Sequence, residues 1–468
     1  MFNAIKNSPN YRWYVLASVA VGTFMATLDS SIVNVALPTI SGQLNSNLST
    51  LQWVVTAYLL TITSLLPVFG RLADLVGRKK VFALGFLVFI FGSALCGLAQ
   101  NIWFLVATRV FQAVGAAMLM SNSAAIITLS FPPKERGKAL GLTGTVVALG
   151  SLTGPALGGI LIGLAGWRSI FYINVPIGFI GFAAVLLILP IDIPSKEKES
   201  FDFIGALTFM LGMIIVLLGI TNGENWGWSS LPVLLCLVLG TALLVLFVLT
   251  ERKVKHPMIH LSLFRNRPFL IGNLSGGLSF VAMFANTMIL PFYLQGVLNY
   301  KPIQVGMILI VFPVVMAIVA PISGHASDKF GPMFLTTSGL IITGLGLFYF
   351  STLSATSSFY QILPGSILMG LGSGMFQSPN NSSVMSSVPP QKLGIAGGIN
   401  SLVRNLGMVT GIAWSVALFE AMGGVTMPKP SQINAFMSAY HSVMIVGMVI
   451  AFVAAVISFN RKSYAKAK

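Results

Sequence analysis

The sequence predicts an all-α integral membrane protein of fourteen transmembrane helices: six, an inserted pair, and six more, forming two pseudo-symmetric helical bundles. Three observations carry this prediction. Of 468 residues, 55% are hydrophobic and only 8% charged, whereas a soluble domain needs about a quarter charged. The apolar residues fall in blocks of about 20, the length that crosses a ~30 Å hydrocarbon layer at ~1.5 Å per residue. The two ends of the chain also repeat one another in register.

In chain order the first six blocks lie near 14–37, 51–70, 81–99, 102–122, 138–163 and 167–189. The first follows Lys6 and Arg12 and is too long for a signal-peptide core, so it reads as a retained helix. Blocks near 203–221 and 231–249 come next, followed by 269–291, 303–321, 333–353, 360–378, 394–419 and 439–459. With both termini inside, the inside loops hold 22 of the 27 lysines and arginines. The outside loops hold Arg168, Lys301 and Lys429, while Arg109 and Arg404 fall within spans. Such asymmetry sets both termini on the cytoplasmic side. The net charge of +16 is therefore an orientation signal spread over alternate loops, and it excludes a nucleic-acid partner.

The repeat divides the chain. Gly115, Met118, Ser121, Pro132, Pro133, Gly137, Gly141, Gly150, Thr153 and Gly154 recur 257 residues later. Their counterparts are Gly372, Met375, Ser378, Pro389, Pro390, Gly394, Gly398, Gly407, Thr410 and Gly411. Gly70, Asp74 and Gly77 recur at an offset of 254 as Gly324, Asp328 and Gly331. The expected domains are an N-terminal six-helix bundle (1–189), an inserted pair with its loops (190–268) and a C-terminal bundle (269–468). Parallel halves of six spans mark transporters that rock one half against the other. The chain contains no G-x-x-x-x-G-K-[ST] loop to cradle ATP. Cys96 and Cys236 lie in apolar blocks and read as packers, so neither a disulfide nor a metal site is expected.

Asp29 lies well inside the first span, and Arg109 lies at a similar depth in the fourth. A charge at the bilayer centre costs ~2.5–3.5 kcal/mol even on the mild insertion scale, so an intramembrane carboxylate is a functional candidate. Movement between a guanidinium partner and an apolar setting would change how tightly a carboxyl group holds a proton. A switchable Asp29–Arg109 pair is one reading, and a fixed structural ion pair is the other.

Two further patterns suggest moving parts. The inside loop from Gly70 to Lys80 reads GRLADLVGRKK. Gly70 and Gly77 permit a tight turn, Asp74 suits a helix N-terminus, and Arg71 and Arg78 hold the inner side. Asp328 stands in the second copy. Gly154, Pro155, Gly158 and Gly159 lie within a span, where glycine allows close helix contact and proline a bend.

Candidate substrate contacts in the first half are Phe24, Asn34, Trp53, Tyr58 and Gln112. Those in the second half are Asn286, Tyr293, Gln295, Phe376, Asn380, Arg404 and Trp414. A polar and aromatic mixture suits loosely specific recognition. The second half has no midplane acid, which favours monovalent cationic, zwitterionic or neutral amphiphiles. Glu420 reads as an interfacial residue.

These residues resemble a known family, the fourteen-helix drug:proton antiporters of the major facilitator superfamily, its EmrB/QacA-like branch. The likeness covers nearly the whole chain. Leu28 to Pro38 is similar to the branch's first-helix signature, and Gly70 to Lys80 to the superfamily loop motif. Arg109-Val110-Phe111-Gln112 with Gly115 resembles the fourth-helix motif, with Ala113 where glycine is usual. Gly154 to Gly159 is similar to the fifth-helix antiporter motif, and Arg404-Asn405-Leu406-Gly407 to the pattern on the penultimate span.

The resemblance implies multidrug efflux by alternating access, driven by the proton gradient, in a monomer without cofactor or enzymatic activity. It implies a bacterial plasma membrane. It assigns Asp29 and Arg109 to proton coupling, Asp74 to gating and Gly154–Gly159 to antiport direction. Export of one endogenous lipid, peptide or metabolite is the alternative. A non-transporting scaffold or receptor is the reading of another class.

Overall fold

The computed structural model describes residues 10–132, 135–189, 202–227, 229–251, 261–389 and 393–461. Among them, 12 helices are long and apolar enough to cross a membrane. The first half comprises α1 (Tyr11–Leu44), a short α2 (Leu48–Leu51), α3 (Trp53–Val76), α4 (Arg78–Gly97) and α5 (Ile102–Ser130). It continues with α6 (Arg136–Ala165), a one-turn α7 (Ser169–Tyr172) and α8 (Asn174–Ile188). The inserted helices are α9 (Phe203–Trp226) and α10 (Leu231–Glu251). The second half comprises α11 (Arg267–Phe292), α12 (Pro302–Leu309), α13 (Val311–Phe330), α14 (Pro332–Phe350), α15 (Phe359–Ser386), α16 (Leu393–Ala421) and α17 (Ile433–Phe459).

Two long helices fall outside the apolar twelve. Among the described residues of α6, Thr153–Ala165 forms an apolar stretch. The 28 residues of α15 carry glycine, serine and asparagine where the others carry leucine and valine. Such sequences pack against protein more than against lipid. The first helix also runs farther than its sequence pattern suggests. It passes through Pro38 to Leu44 and stops at Asn45, whose φ of 48° ends the helical path. The apolar pattern fades after Leu37, but Val35, Ala36, Leu37 and Ile40 are all fully buried, so packing carries the helix onward.

The structure comprises two compact units. Unit 1 is Met1–Val33, Trp53–Val216 and Val238–Met258; unit 2 is Asn34–Gln52, Leu217–Leu237 and Ile259–Lys468. The C-terminal end of α1 is thus grouped with unit 2, and α9 and α10 are each divided between the units.

Within unit 1, α5 packs along α3 and α4, and α4 packs along α8. Within unit 2, α15 packs along α13 and α14, while α11 packs along α16 and α17. The sequence repeat has a physical basis inside each unit. A Cβ at Gly115 of α5 would stand 2.7 Å from Gly85 O and 2.9 Å from Phe89 Cα of α4. In unit 2, a Cβ at Gly339 of α14 would stand 2.7 Å from Gly372 O and 2.8 Å from Phe376 N of α15. Both helix pairs approach so closely that only glycine fits at the crossing. The turns α3–α4 and α13–α14 also match, with Gly77 at φ 116° and Gly331 at φ 78°, a region that disfavours any side chain.

Candidate functional site

The polar centre of unit 1 forms around Asp29, which has no solvent-exposed surface. Four helices supply its partners. Arg109 and Gln112, three residues apart on α5, share one helix face and both point at the acid. Arg109 Nη1 donates to Asp29 Oδ2 and to Gln112 Oε1 at 2.7 Å. Gln112 Nε2 donates to Asp29 Oδ1 at 2.9 Å and to Ser93 Oγ of α4 at 2.6 Å. Asn174, the first residue of α8, donates Nδ2 to Asp29 Oδ1 at 2.8 Å. From α3, Val54 O accepts from Arg109 Nε at 3.0 Å, and the Tyr58 ring lies 3.9 Å from Arg109 Cζ. Phe171 of α7 offers a second aromatic face at 5.7 Å.

The surrounding packing enforces this geometry. A Cβ at Gly92 would lie 2.7 Å from Gln112 Cβ, so its absence lets α4 close against α5 beside the network. On α6, Gly150, Gly154 and Gly158 recur every four residues and face α1 on either side of the acid. Cβ atoms there would meet Phe24 O (3.0 Å), Ile32 N (3.0 Å) and Ile32 Cγ1 (2.9 Å), respectively. Pro155 and Gly159 are also buried.

Taking two charges out of water costs several kcal/mol per ion, and only close pairing with additional hydrogen bonds offsets it. Here Asp29 accepts three hydrogen bonds, one of them from its counter-charge. Arg109 Nη2 and Asn174 Oδ1 have no partner among the described residues. The cluster is therefore nearly, but not wholly, satisfied.

Asp29 and Arg109 are thus brought into direct contact, as their depths suggest. Gln112 and Tyr58, expected to touch substrate, belong to this network and are 0% and 1% exposed. Sequence reasoning missed Ser93, Asn174 and the Val54 carbonyl. Asn174 could have been found as a lone amide opening an apolar block; Ser93 and a backbone carbonyl leave no trace in the sequence.

Phe24, Asn34 and Trp53 are half-buried. In unit 2, Tyr293 and Phe376, two of the expected substrate contacts, are packed within the protein. Tyr293 donates to Ser354 O at 2.6 Å and stacks on Tyr440 at 4.9 Å, and Phe376 sits among Leu340, Ala454 and Ala455. Gln295 donates to Val35 O at 3.1 Å, so it holds backbone in the C-terminal part of α1. Asn286 Oδ1 and Trp414 Nε1 are buried without partners among the described residues, the condition of groups that await one. Glu420 accepts from Ser49 N–H at 2.9 Å. Arg71 and Arg78 are half-buried, and the side chains of Asp74 and Asp328 lie outside the described residues.

A family model described as Major Facilitator Superfamily matches residues 19–203 and 201–412. "Riboflavin transporter RibZ" of Clostridioides difficile (strain 630) is 37% identical over 457 residues, covering 97% of this chain and 98% of the relative. "Multidrug transporter protein MdtP" of Bacillus subtilis (strain 168) is 30% identical, covering 88% and 76%. Relatives of this kind bear out the resemblance to the drug:proton antiporter branch. Among solved structures, a bacterial homologue of the human lysosomal transporter Spinster superposes with a TM-score of 0.72 at 16% identity, covering 97% of each chain. That likeness shows the fold.

Proposed function

This chain belongs to the Major Facilitator Superfamily, and from that premise we propose that it is a proton-coupled antiporter exporting small amphipathic compounds by alternating access. It is a multi-pass membrane transporter rather than an enzyme. The observation that carries the proposal is the closed constellation around Asp29, a carboxylate with no exposed surface bound by Arg109, Gln112 and Asn174. In this arrangement Oδ1 accepts from two amides and Oδ2 from the Arg109 guanidinium, and the proposal is that proton uptake accompanies the withdrawal of one of these donors. Withdrawal couples protonation to helix movement. The α6 glycines permit it, because Gly150, Gly154 and Gly158 give α1 a smooth surface to slide on.

The remaining parts of the proposal follow the same reading. Fourteen helices cross the plasma membrane of a bacterium, with both termini in the cytoplasm. The transporter works as a monomer without ATP or cofactor, and multidrug efflux with antibiotic resistance is its physiological output. The GRLADLVGRKK segment is not the loop the sequence suggests but helix on both sides of Gly77; with Asp74 and its counterpart Asp328 it gates the inner side. Phe24, Asn34, Trp53, Asn286 and Trp414 remain candidates for substrate contact.

A second reading has one specific support. A relative matching nearly all of the chain is named a riboflavin transporter, which favours one endogenous metabolite as the cargo. The deciding experiment uses proteoliposomes with an imposed pH gradient, offered flavins on one side and a panel of cationic dyes and antibiotics on the other. Gradient-driven movement of several unrelated dyes supports drug efflux, and movement of flavin alone supports the metabolite reading. Movement of neither removes both.

A further inference from the structure

Unit 2 holds a second polar cluster, one that proton coupling does not use. Gln377, Asn380 and Asn381 of α15 face Asn400, Val403 and Arg404 of α16 around a cavity of about 30 Å³, room for a single small group. Asn400 Nδ2 donates to Asn381 Oδ1 at 2.8 Å. That bond fixes both amides and leaves Asn381 Nδ2 and Asn400 Oδ1 for another partner. Asn380 is committed at both ends, donating to Gly272 O at 3.1 Å and accepting from Arg461 Nη2.

The charges are unbalanced. Arg404 is half-buried and has no hydrogen bond or ion pair among the described residues, so the cost of burying a bare cation falls chiefly on Arg461. Arg461, just past the end of α17, is only 2% exposed, and its Nε and Nη1 have no partner there either. Burial pushes the Arg461 guanidinium down to about 10, which leaves it charged at neutral pH. No described carboxylate compensates either arginine. A buried cation without a counter-charge is costly, and an anion that also accepts hydrogen bonds removes the cost. Beside the cavity, and sharing Val403 with it, runs an apolar groove of about 260 Å³ lined by Leu270, Leu274, Leu278, Val281 and Leu406.

We propose that Arg404, Asn381, Asn400 and Gln377, with Arg461 held behind them by Asn380, form a subsite for an anionic oxygen group of the transported amphiphile. The apolar body of the solute lies along the adjoining groove. This refines the export reading and rests on it, keeping the zwitterions that the sequence favours and adding acids in place of cationic and neutral amphiphiles.

The test is equilibrium binding by fluorescence polarisation to the purified full chain in detergent, with no pH gradient. The probes are a rhodamine bearing a free carboxylate and its methyl ester. Wild type binds the acid about tenfold more tightly than the ester, the scale of a charge-assisted hydrogen bond. Arg404→Gln removes the preference by weakening the acid alone, and Arg404→Lys restores part of it. Asn400→Asp inverts it, because the new carboxylate repels the acid and attracts the cationic ester. Equal affinity for both dyes in wild type, or equal loss of both in Arg404→Gln, overturns the subsite and leaves amphiphile export standing. Binding of neither dye overturns both. Displacement of the acid by inorganic phosphate at micromolar concentration also overturns it, by making the site one for free anions. A failure of proton coupling leaves all of these readouts unaffected.

Discussion

Replacing Asp29 with asparagine removes one charge and alters little else in volume, so its consequences can be worked from the hydrogen bonds. Oδ1 accepts from Gln112 and Asn174, and Oδ2 accepts from Arg109. If the new amide keeps its oxygen towards Gln112 and Asn174, its NH₂ faces Arg109, donor against donor. If it flips, two amide donors oppose it instead. Either orientation strands a fully buried guanidinium, and breaking one partner of a buried pair costs ~3–5 kcal/mol. Thermal unfolding of the purified variant should fall accordingly, and proton flux coupled to substrate exit in proteoliposomes should disappear. Substrate–substrate exchange, which needs no net proton movement, should survive. The double variant Asp29→Asn, Arg109→Gln removes both charges. Its stability should recover to within ~1–2 kcal/mol of wild type, because a buried pair exchanged as a whole for neutral groups is often near neutral, while coupling stays lost. Full coupled transport in Asp29→Asn would refute the proton role. A double variant no more stable than the single one would refute direct charge compensation.

Other substitutions probe the supports of this pair. Asn174→Ala deletes one donor to Oδ1 and should cost ~1.5–3 kcal/mol, the range for a hydrogen bond to a charged group, read as a lower unfolding temperature with the fold retained. Tyr58→Leu removes the ring 3.9 Å from Arg109 and should cost ~0.5–2 kcal/mol of cation–π attraction. Tyr58→Phe loses only the bond to Ala26 O and should cost less in the same assay. Gly154→Val places branched carbons against Ser31 and Ile32 of α1; it should lower the transport rate several-fold while cargo affinity, measured without a gradient, changes little. Gly92→Ala brings a Cβ 2.7 Å from Gln112 Cβ. It should destabilise by ~1–3 kcal/mol through overpacking and weaken coupled transport in the same vesicles.

The amino-acid sequence alone determined the membrane setting, the helix count to within two spans, the internal repeat and the charge pair. Each leaves a one-dimensional mark. A bilayer imposes a length on every apolar block, and a duplicated half preserves its glycines in register. Gly115 and Gly372 were visible as an offset before they were visible as two equivalent helix crossings. Asp29 and Arg109 were visible because ionised residues are rare at that depth.

Tertiary structure alone decided which neighbours these groups have. Nothing in the chain's order says that Asn174, 145 positions beyond Asp29, donates to its carboxylate, or that Ser93 steadies Gln112. It also placed Tyr58, Gln112, Tyr293 and Phe376 in packed surroundings, since aromatic and amide side chains read alike whether they face a cavity or a packed interior. Helical periodicity fixes the face a residue occupies, but the partner that covers that face comes from a distant part of the chain. Only the folded arrangement brings the two together.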